Sequence, residues 1–292
     1  MQARQELLGT GPPDDDVPAA EGAWMRSLLA GQRPDGGFDA HPYKKWNGAH
    51  WRLVSMVELG IPAGEPRAIA AVETVLQWLT GRAHRSTIKT ISGRTRRCAS
   101  QEGNALAVAC RLGLAHDPRS RLLAESLVEW QWADGGWNCD KTPSARHSSL
   151  HESLPPTWGL NEFASATGND DAAAAAQRAA ELFLDHQLFR SHTTGEVGDP
   201  KWLQSPYPAY WHYNFAQGLT VLARVSALPD PRADDAIRRL RERQQPDGLW
   251  HAVGAQYWRR SAPLYWDPVP WERSGPSLML TLNALRVMRA VA

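Results

Sequence analysis

The stretch "WQWADGGW" at positions 130–137 has two close counterparts, "GQRPDGGF" at 31–38 and "RQQPDGLW" at 243–250. All three follow one template: Gln, two residues, Asp, Gly, one residue, then an aromatic. Weaker echoes occur as "LQWLTG" at 76–81 and "DHQLFRSH" at 185–192. With Gln32, Gln77, Gln131, Gln187 and Gln244 as markers, the steps are roughly 45–57 residues, the length of a helix-pair unit. The glycines permit a tight turn and the aromatic packs beside it, so the repeated element itself reads as structural.

Each marker is preceded by a stretch with one apolar face and a charged opposite face: 66–79, 118–132, 169–188 and 231–244. Each is followed by a Gly-rich or polar loop and a more apolar helical stretch: 48–60, 103–114, 147–164, 210–225 and 274–290. Turns such as "LGLAHDPR" and "ALPDPR" close one helix and open the next with an acidic residue and proline. No sustained period-2 alternation occurs. The expected class is all-α. Amphipathic helices alternating with apolar ones imply an outer and an inner layer, and about five such pairs close into an α/α toroid. The expected organisation is a flexible tail over residues 1–20 and one toroid over 21–292.

Hydrophobic residues at 42% suit a globular core, and a formal charge of +1 excludes bulk electrostatic binding of nucleic acid. No apolar run reaches membrane-spanning length and no signal-peptide pattern opens the chain, so a cytoplasmic location is expected. Cys98, Cys110 and Cys139 are too few for a disulfide framework. In a toroid all outer-to-inner loops emerge at one rim. That rim would carry "NCDKTPSARHSSLHES" (138–153), with Cys139, His147, His151 and Glu152.

The repeated Gln-x-x-Asp-Gly-Gly-Trp signature on alternating helices resembles the squalene-hopene cyclase and protein prenyltransferase β-subunit superfamily, over nearly the whole chain after residue 20. The resemblance implies an α/α barrel and leaves the reaction open, because that superfamily includes cyclases, transferases and non-catalytic members. Its class II cyclases protonate with an Asp-x-Asp-Asp cluster, which this sequence lacks. Its protein prenyltransferases hold zinc through Asp, Cys and His at the inner rim. Their Asp-x-Cys pair is absent here, so neither their ligand set nor their thiolate activation transfers.

A zinc site survives in altered form. Cys98 enters the second inner helix, Cys139 lies in the loop before the third, and His147 and His151 stand at i and i+4, which on a helix puts both imidazoles on one face. Thiolate and imidazole suit zinc. The preferred ligands are Cys98, Cys139 and His147, with His151 and His212 as substitutes. His212 also resembles the prenyltransferase histidine by position. Glu152, His151 and His212 are the acid–base candidates. Cys110 in mid-helix reads as a small buried hydrophobe, and His50 as structural.

The chain has 14 tryptophans. Trp51, Trp158, Tyr210, Trp211 and Trp258 fall on inner helices or the loops leading to them and would line a central cavity suited to an isoprenoid or lipid-like substrate. Arg97, or Arg259 and Arg260, would receive a diphosphate at the rim where the substrate carries one. Two functions follow: a zinc enzyme acting on such a substrate, or a non-catalytic toroid that binds an apolar ligand or protein partner around structural zinc. A sugar-active toroid suits the tryptophans but lacks a facing carboxylate pair.

Overall fold

The computed structural model describes residues 22–254, 267–272 and 274–292. The expected tail at 1–20, together with Trp258, Arg259 and Arg260, lies outside the described residues.

The chain is mainly helical, as its periodicity requires. Two kinds of helix alternate. In α1 (Ala23–Leu29), α3 (Pro66–Thr80), α6 (Pro118–Trp130), α8 (Asp170–Asp185) and α10 (Asp234–Glu242), burial favours one face: in α8 it runs Ala172, Ala175, Ala176, Ala179 and Ala180 and widens to Leu182, Phe183 and Leu184 at the end. In α5 (Ser100–Arg111) and α7 (Leu150–Thr167), unbroken runs are buried all round, Glu102–Ala109 and Ser153–Leu160. These two, with α2 (Ala49–Glu58), α9 (Phe215–Arg224) and α11 (Leu278–Ala290), form a series in which each packs on the next. Each of α2, α5, α7 and α9 also packs on its following amphipathic helix. A single turn, α4 (Arg82–Arg85), follows α3.

The sequence marks the helix starts. Glu65 and Asp117 precede Pro66 and Pro118, and their carboxylates accept from the amides of Ala68 (2.6 Å) and Arg119 (2.8 Å). Asn169 and Asn214 cap α8 and α9 in the same way. Of the more apolar helices, α7, α9 and α11 start three to five residues later than the apolar pattern alone indicates. Two small antiparallel pairs were not legible: β1 (Lys89–Ile91) with β2 (Arg94–Arg96), and β3 (His251–Ala252) with β4 (Gly275–Pro276). Strands of two or three residues are too short to carry a period.

The repeated loop works as a staple. Gln131 Nε2 donates to Gly135 O within its own turn and to Ala175 O on α8, both at 2.8 Å, and Arg178 returns a bond to Gln131 Oε1. Gln32 makes the equivalent set with Gly36 O, Arg67 O and the Arg67 guanidinium. The closing aromatic plugs its own unit: Trp137 Nε1 donates to Leu127 O and Trp250 Nε1 to Leu240 O. Of the two weaker markers, Gln77 lies inside α3 and Gln187 just beyond the end of α8.

One contact in this frame positions the site. A Cβ on Gly103 of α5 would lie 2.3 Å from Pro156 N, and one on Gly159 of α7 would lie 2.3 Å from Gly103 O. The backbones of α5 and α7 therefore touch, and only glycine permits it. Their first turns are drawn together with them.

Candidate metal centre

Cys98 lies just before α5, Cys139 in the loop before α7, and Glu152 in the first turn of α7. The two sulfurs and a Glu152 oxygen all lie within 4.8 Å of one another. Two connections hold the segments in register: the Arg97 amide donates to Asn138 O (3.2 Å), and the Ser100 amide donates to Glu152 Oε2 (3.1 Å). Cys139 Sγ is 3.7 Å from Glu152 Oε1. Hydrogen bonding from Cys139 holds the Cys98 thiol below its ordinary value. The same bond, with burial and the nearby Glu152 carboxylate, pushes the Cys139 thiol up. Withdrawal from water raises the Glu152 carboxyl.

The donor set suits zinc. Thiolate sulfur and carboxylate oxygen are both zinc ligands, and three protein donors match the number found at catalytic sites. A divalent cation here would also compensate a partly buried carboxylate whose protein partners are an amide N–H and a thiol.

His147 is not part of this group. The spacing expectation puts it on a helix one turn before His151, but α7 begins only at Leu150. The loop before it is tied to itself: the Ser148 amide and hydroxyl both donate to the Asp134 carboxylate, the Ser149 amide donates to Trp137 O, and Asn138 Nδ2 donates to His147 O. His147 is exposed on this loop. The third donor is Glu152, read from the sequence as an acid or base.

His151 is on α7, and its Nδ1 accepts from the Tyr213 amide at 2.8 Å, which fixes the ring. His212 stacks on Trp211 at a ring separation of 4.1 Å. Burial lowers both imidazoles, His212 to about 4, so both are neutral near pH 7. Their rings are 6.3 Å apart.

Arg97 is also displaced from its expected role. Its guanidinium is held by Glu102, Gln101 and His84, and its side chain is only 10% exposed. It is therefore committed internally and not presented to a diphosphate. No sequence signal marks this buried Arg97–Glu102–His84 cluster, because a basic run reads as solvated surface. Nor does one mark Tyr43 and Lys45, which interact electrostatically with Cys98 and Glu152. Lys45 Nζ lies 4.5 Å from the Trp211 ring centroid and 5.4 Å from that of Trp46.

A cavity of about 150 Å³ is bordered by α2, α5, α7, α9 and α11 through Val54, Asn104, Trp158, Arg224 and Leu280 among others. Of the aromatics read as substrate-binding, Trp158 and Tyr210 line it. Trp51 is buried at 1% exposure, edge-on to Trp46 and Tyr210, and Trp211 stacks with His212; neither lines the cavity. Cys98, Cys139 and Glu152 do not line it either. Trp46 stacks on the cavity-lining Tyr210 at 4.4 Å and 8°. At the opposite ends of the inner helices Arg224 of α9 pairs with Glu58 of α2 at 2.8 Å.

No protein-family model, curated protein or solved structure matches this chain.

Proposed function

We propose that this chain is an α/α toroid of the prenyltransferase and squalene-cyclase type, carrying a zinc centre at Cys98, Cys139 and Glu152 and acting on a hydrophobic substrate. The observation that carries the reading is the approach of two sulfurs and one carboxylate to within 4.8 Å. The toroid is supported by the serial packing of α2, α5, α7, α9 and α11 and by the cavity that all five border.

Zinc, when bound, supplies a Lewis acid for a polar group of the substrate. The chain's own residues do the rest. Glu152, with its raised carboxyl, holds or moves a proton beside that group, and neutral His151 and His212 accept protons on the α7–α9 side. Lys45 offers a cation beside the donors, and the Trp46–Tyr210 stack forms an apolar wall leading to the cavity.

One observation favours a second reading, in which zinc is structural and the toroid binds an apolar ligand or protein partner: none of the three donors lines the cavity. Cobalt substitution separates the two. The enzyme reading expects a thiolate-to-cobalt absorption band that shifts when a small thiol or imidazole is added, because one coordination position exchanges. A band that no added ligand perturbs supports the structural reading. No cobalt band at all would contradict both.

A further inference from the structure

Cys98 and Cys139 are both free and partly exposed, and their sulfurs lie within 4.8 Å of each other. Forming a disulfide of about 2.05 Å needs a closing movement of less than ~3 Å. Cys139 stands at the start of a loop whose residues Asp140–Ser144 are all exposed, so one partner sits on a segment that can yield without disturbing a helix. Cys98 precedes the first turn of α5, where helix amides favour a thiolate. Glu152 Oε1, 3.7 Å from Cys139 Sγ, can take the proton of the second thiol. Cys110, at the other end of α5, has no place in this arrangement.

We infer that Cys98 and Cys139 are a redox-active dithiol whose oxidising substrate is a hydroperoxide. The Cys98 thiolate attacks the terminal peroxide oxygen, the O–O bond breaks, and the alkoxide leaves as alcohol by taking up the proton that Cys98 released on ionising. Cys98 is then a sulfenic acid. Cys139, giving its proton to Glu152, attacks the Cys98 sulfur; the S–S bond forms, the S–O bond breaks, and the hydroxide leaves as water with the proton from Glu152. The two thiols lose two electrons and two protons, and the hydroperoxide becomes alcohol and water. A closed disulfide supplies no thiolate, so the oxidised and metal-bound states exclude one another. The dithiol itself does not depend on the metal reading.

The test treats metal-stripped full-length protein with stoichiometric hydrogen peroxide and follows intact mass and peptide maps. The expected product is lighter by about 2 Da, contains a Cys98–Cys139 cross-linked peptide, and reverts with dithiothreitol. Cys110→Ser behaves identically, and Cys139→Ser stops at a sulfenic acid on Cys98 that dimedone traps. Accumulation of sulfinic acid without a cross-link, or a disulfide involving Cys110, would overturn the inference. Zinc loaded beforehand slows the reaction if the metal reading holds. An unchanged rate, with the cross-link still formed, leaves the dithiol standing and removes the metal reading.

Discussion

The segment from Gln131 to Ser153, and the segments Gln244–Trp250 and Gly275–Thr281 taken together, are built on the same hydrogen bonds and end differently. In both, the motif Gln closes its own turn, the tryptophan plugs its own unit, and the serine before the next inner helix donates its amide back to the tryptophan carbonyl: Ser149 to Trp137 at 2.9 Å, Ser277 to Trp250 at 3.0 Å. Even the fourth helical residue plays the same part, with Ser153 and Thr281 accepting from the Trp137 and Trp250 amides. Two of the differences bear on the candidate site. Two residues past the tryptophan stands Cys139 in one loop and Ala252 in the other, and at the third helical residue stands Glu152 in one and Leu280 in the other. Cys139 and Glu152, the candidate donors, are thus additions to a structural module that is complete without them.

The two loops also differ in what lies behind them. Gly135 (φ +92°) packs against α8, where a Cβ would sit 2.3 Å from Arg178 O, whereas at Gly248 (φ +80°) a Cβ would meet nothing within 4 Å among the described residues. Gly135→Ala should therefore cost roughly 3 kcal/mol or more, through backbone clash and the left-handed conformation together. Gly248→Ala should cost only the conformational part, about 1–2 kcal/mol. Urea midpoints of the two variants give the comparison directly; equal losses would show that the outer-helix contact does not hold the turn.

Replacing Ser153 by Ala and Thr281 by Val removes the acceptor of a buried tryptophan amide in each loop, and each should cost about 1–3 kcal/mol. Similar losses support equivalent modules; a loss confined to Ser153 would mean that the site, and not the staple, needs the bond.

The second helical residue varies too: His50 in α2, His151 in α7 and Met279 in α11. His50 is fully buried, neither ring nitrogen has a hydrogen-bond partner among the described residues, and burial pushes its imidazole down to about 3. The unfolded chain takes up this proton near pH 6.5, while the folded chain does not until about pH 3. The contribution to stability is therefore full above pH 6.5 and is lost progressively as pH falls towards 3. His50→Met should flatten thermal stability over that window. An unchanged acid slope would show that other groups set it.

Converting the third loop to the chemistry of the last, by Cys139→Ala with Glu152→Leu, has the smallest expected effect on the metal-free fold. It removes a partly buried carboxylate whose hydrogen bonds come from an amide and a thiol, and leaves the staple intact. The metal-free melting temperature should match or slightly exceed that of the metal-free parent, while stabilisation by added zinc disappears. A large loss of metal-free stability would contradict the separation of module and site.

Much of the frame was legible because it rests on local rules. The turn glycines, the Asp-Pro and Glu-Pro helix starts, and the apolar periods each act over a few residues. The site depended on contacts that no period encodes. His147 and His151 have helical spacing, but the loop bonds of Ser148 and Ser149 delay the helix and leave His147 outside it. Glu152 reaches the cysteines because Gly103 and Gly159 let α5 and α7 touch, a match between residues far apart in the chain. Arg97 looked available because its partners Glu102 and His84 become neighbours only when α4 and α5 have folded together.

The most direct measurement is an anomalous difference map collected at the zinc edge from crystals of protein loaded with one equivalent of zinc. The account predicts a single peak bonded to Cys98 Sγ, Cys139 Sγ and a Glu152 oxygen, absent in Glu152→Leu crystals. A peak bonded to His147 or His151 in place of Glu152, or no peak at the cysteines, would contradict it.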